Sequence, residues 1–158
     1  MGDLLLLNGR VLRAPRCGLR RGTSATAWYE LGLSLEASHP ARAISAYERA
    51  LAGRPDLADA LNNLGRLHHE TGSAAAAEGY YRLSICASPD VPLFWFNLGV
   101  SVEDQGRSSE AIAAYEHAIE LEPRLADAHF NLARLLEVAG RKSDDELVLR
   151  RAVRHLVR

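Results

Sequence analysis

The chain has 158 residues, 47% of them hydrophobic and 25% charged, with a formal net charge of −1. That is the make-up of one globular domain, and it favours neither nucleic acid nor an anionic membrane as an overall partner. No run approaches the roughly 20 apolar residues of a membrane span, and Cys17 and Cys86 match no metal or redox spacing, which points to unpaired thiols in a reducing compartment.

In chain order, residues 1–23 come first as a basic leader. Residues 1–22 carry five Arg against one Asp, about +4. Leu4 to Leu7 is too short for a signal-peptide core and follows Asp3 where a positive charge is expected, so the cytoplasm is the expected compartment. Pro15 and Gly18 interrupt helix and no clean period is present. The leader is expected to be disordered; alternatively Leu4 to Leu7, Val11 and Leu12 cover the exposed edge of the first repeat.

From residue 24 the chain repeats itself about every 34 residues. The stretches Trp28-Tyr29-Glu30-Leu31-Gly32, Leu61-Asn62-Asn63-Leu64-Gly65, Trp95-Phe96-Asn97-Leu98-Gly99 and His129-Phe130-Asn131-Leu132-Ala133 correspond. Each leads to a turn signal: Ser38-His39-Pro40, Thr71-Gly72, Gln105-Gly106, Ala139-Gly140. A second helical run comes after the turn, with Tyr47, Tyr81, Tyr115 or Leu149 at one place, and Pro55, Pro89 and Pro123 close the first three copies. The first copy is one residue shorter, in its turn. A fixed period of this length means stacked supersecondary units, since one helix pair cannot bury its apolar face alone.

Eight helices are predicted, over about 25–37, 41–53, 58–71, 74–87, 92–105, 109–121, 126–139 and 144–157. Trp28, Leu31 and Leu35 share a face, as do Trp95, Leu98 and Val102. Gly32, Gly65 and Gly99 fall mid-helix, where glycine costs about 1 kcal/mol against alanine. Such a cost is accepted where a neighbouring helix must come close, and Tyr47, Tyr81 and Tyr115 are expected to fill the space. The last helix is the most divergent: Asp145 stands where other copies have Ala43, Ala77 and Ala111, Leu149 replaces the tyrosine, and no proline closes it. Ser143-Asp144-Asp145-Glu146 fits a capping box at its start.

The charge is divided along the chain. Residues 23–140 hold eight Arg against sixteen acids, about −8, while residues 141–158 hold six basic groups against three acids, about +3. No catalytic constellation is present. Gly65 and Gly99 are helical rather than in a phosphate-cradling loop. His68 and His69 are adjacent on a helix and point about 100° apart, so they read as one core and one surface residue rather than a metal pair. Neither enzyme activity, a cofactor nor a metal is expected. The leader arginines have no interleaved aromatics, and nucleic-acid binding is not expected.

Leu-Gly before a turn, alanine-containing second helices and a closing proline at one period resemble the tetratricopeptide repeat family over residues 24–158. The resemblance implies an all-α, right-handed α-solenoid of about four helix-turn-helix repeats, at about 25–57, 58–91, 92–125 and 126–158. It implies a non-catalytic interaction scaffold whose first helices line a concave groove for a protein or peptide. The groove residues singled out are Asn63, Arg66, Phe96, Asn97, Val100, Phe130, Asn131 and Arg134. Phe96, Val100 and Phe130 would form an apolar patch, and Arg66 and Arg134 would hold carboxylates. Asn63, Asn97 and Asn131 stand at one period and form a ladder of carboxamides, each both donor and acceptor. This looks like the asparagine ladder of O-linked N-acetylglucosamine transferase repeats, which contacts target peptides; the plainer reading is a polar residue common at this place in the family. Glu30 interrupts the ladder. Capture of a chaperone's C-terminal tail is not expected, because Tyr29 and Leu33 stand where Lys and Asn would be needed. Alternatives are self-association through the array ends, or a regulatory or substrate-selecting subunit of an enzyme, such as a glycosyltransferase, on another chain.

Overall fold

In a computed structural model of the chain, residues 4–7, 10–13, 24–143 and 146–156 are described. The leader contributes two strands, β1 (Leu4–Leu7) and β2 (Arg10–Arg13), paired antiparallel with Leu4 opposite Arg13 and Leu7 opposite Arg10. In the sequence the two strands are separated by Asn8-Gly9, and Asn-Gly between strands is the strongest short hairpin signature.

Eight helices come next among the described residues: α1 (Ala25–Leu35), α2 (Pro40–Gly53), α3 (Ala58–Glu70), α4 (Ala74–Ala87), α5 (Pro92–Asp104), α6 (Ser108–Leu121), α7 (Ala126–Ser143) and α8 (Glu146–Leu156). Their starts reflect side-chain chemistry. The Ser24 hydroxyl accepts from the Ala27 N–H at 3.1 Å, capping α1. Pro40 and Pro92 occupy the first turns of α2 and α5, where a missing N–H is harmless. The α3–α4 and α5–α6 turns depend on Gly72 and Gly106, at φ 81° and 77°, a region that a side chain disfavours.

The fourth turn differs from expectation. Ala139-Gly140 does not end α7, which runs on to Ser143. Gly140 is helical and buried, and Arg141 pairs with Glu137 one turn back, extending the helix. The capping box proposed at Ser143–Glu146 includes Asp144 and Asp145, which lie outside the described residues.

Each first helix packs on its own second helix, and each second helix packs on the next first helix, giving an α-solenoid. The core is made of small residues meeting tyrosines. Ala43, Ala77 and Ala111 are fully buried, and Tyr47, Tyr81 and Tyr115 are 0–3% exposed. A Cβ placed on Gly32, Gly65 or Gly99 would lie 2.5–2.6 Å from Cε1 of the tyrosine in the same unit. The mid-helix glycines are there because a ring lies against the bare backbone. In the fourth copy the pair changes together, to Ala133 and Leu149. Cys86 carries a free thiol, and Cys17 lies outside the described residues. No helix among the described residues is long and apolar enough to cross a membrane.

Candidate binding groove

α1, α3, α5 and α7 bond to one another across the units and so present one continuous surface. Asn97 Nδ2 donates to Asn62 Oδ1 at 2.8 Å, joining α5 to α3. Arg66 reaches Glu36 at 2.5 Å, joining α3 to the end of α1, and Arg134 pairs with Glu103, joining α7 to α5. His69 Nε2 lies 2.7 Å from Asp104 Oδ2, a second link between α3 and α5.

Two of these junctions are built alike. Tyr47 donates its hydroxyl to Glu36 Oε1 at 2.5 Å, and Glu36 in turn holds Arg66. Tyr115 donates to Glu103 Oε2 at 2.8 Å, and Glu103 holds Arg134. Asn63 and Asn131 each donate Nδ2 to the tyrosine oxygen of the preceding unit at 3.3 Å. Burial first, and then the neighbouring carboxylate, push both phenols above their ordinary pKa, so each remains a proton donor. The middle junction departs from this scheme. His69 stands in the place of Glu36 and Glu103, Val100 in the place of Arg66 and Arg134, and Asn97 turns to Asn62. Burial pushes the Tyr81 phenol up to about 12, with Arg66 opposing and Glu70 adding to the shift.

The structure brings the carboxamides Asn63, Asn97 and Asn131 onto one surface with Phe96, Val100 and Phe130. One amide hydrogen of each carboxamide is already committed to the unit before it. What the ladder retains for a ligand is its second amide hydrogens and its carbonyl oxygens, those of Asn97 and Asn131 above all. Phe96 and Val100 are one turn apart on α5 and half-buried, with the Phe96 ring 5.7 Å from that of Tyr115. Phe130, at the register of Phe96 on α7, is 59% exposed, and Leu33 and Leu93 are exposed on the neighbouring first helices.

Arg66 and Arg134 are differently placed from the sequence expectation. Both guanidiniums already face the chain's own carboxylates, Arg66 those of Glu36 and Glu70 and Arg134 that of Glu103. A ligand carboxylate would have to compete with these pairs.

The feature that residue-by-residue reading missed is the sign of the surface. The first helices and their caps carry Glu30, Glu36, Asp59, Glu70, Glu103, Asp104, Asp127 and Glu137 against Arg66 and Arg134, with Arg141 and Lys142 in the last turn of α7. The net −8 of residues 23–140 was visible, but its concentration on the first helices needed helix boundaries. The two adjacent histidines point to different partners, but neither is a core residue: half-buried His68 stacks on Tyr80, ring centroids 5.2 Å apart, and half-buried His69 reaches Asp104. Among the described residues no group of three His, Cys, Asp or Glu side chains could hold a metal ion.

A family model described as Tetratricopeptide repeat matches residues 33–92, 85–123 and 96–155. No curated protein matches the chain. Among solved structures, MamA is 20% identical with a TM-score of 0.73, covering 83% of this chain and 77% of its own. MamA of Desulfovibrio magneticus RS-1 is 19% identical with a TM-score of 0.71, covering 85% and 72%. The first TPR of Spaghetti (RPAP3), solved bound to the HSP90 peptide SRMEEVD, is 19% identical with a TM-score of 0.71, covering 74% of this chain and 94% of its own. At these identities the likeness is one of fold.

Proposed function

The chain belongs to the tetratricopeptide repeat family, whose arrays serve as protein-interaction scaffolds, and we propose that this one holds an extended, basic peptide segment in the groove of α1, α3, α5 and α7. The observation that carries the reading is the net charge of the first helices and their caps: eight carboxylates against Arg66, Arg134, Arg141 and Lys142, with Arg66, Arg134 and Arg141 already paired to Glu36, Glu103 and Glu137. Asn97 and Asn131 meet the peptide backbone, in the manner of the asparagine ladder of O-linked N-acetylglucosamine transferase repeats, with Asn63 continuing the row. Phe96, Val100 and Phe130 take an apolar side chain. Arg66 and Arg134 hold Glu36 and Glu103 in place rather than holding the ligand. The HSP90 peptide bound to RPAP3 is acidic at its end, and a groove of this sign does not suit such a tail.

Each exposed carboxylate contributes about 1 kcal/mol or less to a basic ligand, and salt screens it over a Debye length of about 8–10 Å. The test is a titration of two labelled peptides of equal length and apolar content, one rich in Arg and one rich in Glu. The Arg-rich peptide should bind more tightly and weaken as salt rises. Tighter binding of the Glu-rich peptide would refute the sign of the ligand.

A second reading has its own observation: the leader carries five arginines, so a second copy of the chain could supply the basic segment. Light scattering at low and high salt separates the two. A monomer at every concentration leaves the partner as another protein, and a salt-sensitive oligomer supports self-association.

A further inference from the structure

A second kind of recess, lined by residues other than those of the groove, recurs in two of the units. In the third unit a cleft of about 270 Å³ lies between α5 and α6, floored by Trp95, Leu98 and Val102 and edged by Glu110 and His117. In the first unit a cleft of about 240 Å³ lies between α1 and α2, floored by Trp28, Leu31 and Leu35 and edged by Arg42 and Arg49. These residues occupy equivalent places in the two copies. The second unit has Tyr80 where the others have Ala46 and Ala114, and the ring stacks on His68 in the space of the cleft.

The third-unit cleft shows how such a recess is closed. The preceding second helix, α4, borders it, and Arg82 of α4 pairs with Glu110 at 3.3 Å. Leu98 on the floor is then 5% exposed. In the first unit no helix among the described residues stands in the place of α4, and Leu31, the counterpart of Leu98, is 41% exposed. The edge has also changed sign. Arg42 replaces Glu110, and Arg49 replaces His117, its guanidinium 4.6 Å from the centre of the Trp28 ring.

We propose that the Trp28 cleft is a second docking site, for an amphipathic helix of a partner protein that lies as α4 lies on the third unit and brings a carboxylate to Arg42. Charge complementarity selects this occupant. The chain's own candidates have the wrong sign: the leader is rich in arginine, and α8, the last second helix, carries Arg150 at the register of Arg82. End-to-end stacking of two copies would set Arg150 of one against Arg42 of the other, and like charges so placed repel. The site is independent of the groove, which lies on the first helices' inner side.

The probe is α4 itself. Two fluorescein-labelled peptides spanning residues 73–88 are titrated against the full chain by anisotropy, one with the natural sequence and one with Arg82→Glu. The R82E peptide should bind at least about tenfold more tightly than the natural one. Arg42→Glu in the full chain should reverse that preference, and Trp28→Ala should weaken both peptides. Arg42 is exposed near the start of α2, where an acidic side chain suits the helix dipole, so its replacement leaves the fold intact. Arg42→Gln is the second variant and should abolish the preference without reversing it. Equal affinities, a preference indifferent to residue 42, or no binding by about 1 mM peptide would overturn the proposal; a cleft already covered by residues 1–23 gives the last result.

Discussion

The tyrosine that faces each mid-helix glycine sets the closest approach in the array. A Cβ on Gly99 would lie 2.6 Å from Cε1 of Tyr115, and the ring is fully buried and tied through its hydroxyl to Glu103, so it cannot swing away. Alanine recovers about 1 kcal/mol of helix propensity, while overpacking costs about 1–3 kcal/mol, so Gly99→Ala should destabilise by up to about 2 kcal/mol. The fourth copy changes both places at once, to Ala133 and Leu149. In urea denaturation the Gly99→Ala, Tyr115→Leu double variant should be less destabilised than the sum of the two singles. Strict additivity would mean that the ring and the glycine are not in conflict. This much was legible in the sequence, since the glycines and tyrosines recur at one spacing. The partners of Arg66 and Arg134 were not. Glu36 and Glu103 lie in other helices some 30 residues earlier, and only the stacking of units brings them within reach.

Between elements, a cluster of polar links joins α4 to the α5–α6 turn. Glu78 accepts from Arg107 at 2.6 Å and from Gln105 at 3.0 Å, and Arg82 closes on it from one turn along α4. Burial alone would raise the Glu78 carboxyl, but hydrogen bonds from Arg107, Gln105 and Arg82 outweigh it and hold the group at about 2, below its ordinary 4.5. A carboxyl depressed in the folded state stabilises above its unfolded pKa and loses that contribution as pH falls through the folded value. The stability advantage of the natural chain over Glu78→Gln should therefore be full above pH 4.5 and vanish on acidification to about pH 2. Solvent screening limits it to about 1–2 kcal/mol. An advantage that does not change over this range would show that Glu78 is not ionised through these bonds. At this scale helix boundaries were read well where a turn chemistry was explicit, as at Gly72 and Gly106. The reading failed at Ala139-Gly140, because a glycine stops a helix only when it adopts the left-handed conformation, and nothing in the sequence distinguishes Gly140 from the other two.

Across the whole molecule, the repeat places unlike surfaces on unlike sides. The inner side combines carboxylates with Asn97, Asn131 and the exposed Phe130, while the N-terminal end offers Trp28 and Leu31 beneath Arg42 and Arg49. The period alone gave the solenoid. The chemistry of its surfaces required knowing which carboxylates share a helix type and which arginines are already paired. The eight carboxylates also imply that groove binding should depend on the sign of the ligand and the salt concentration before it depends on any one residue. The central claim is that an extended basic segment lies along the Asn97–Asn131 row. Its most direct measurement is calorimetric titration of an Arg-rich peptide into the natural chain and into a Phe96→Ala, Asn97→Ala, Phe130→Ala, Asn131→Ala variant of matched helicity. The account predicts binding to the natural chain and a loss of at least about tenfold in affinity, about 1.4 kcal/mol, in the variant. Equal affinity for both would place the peptide elsewhere and contradict it.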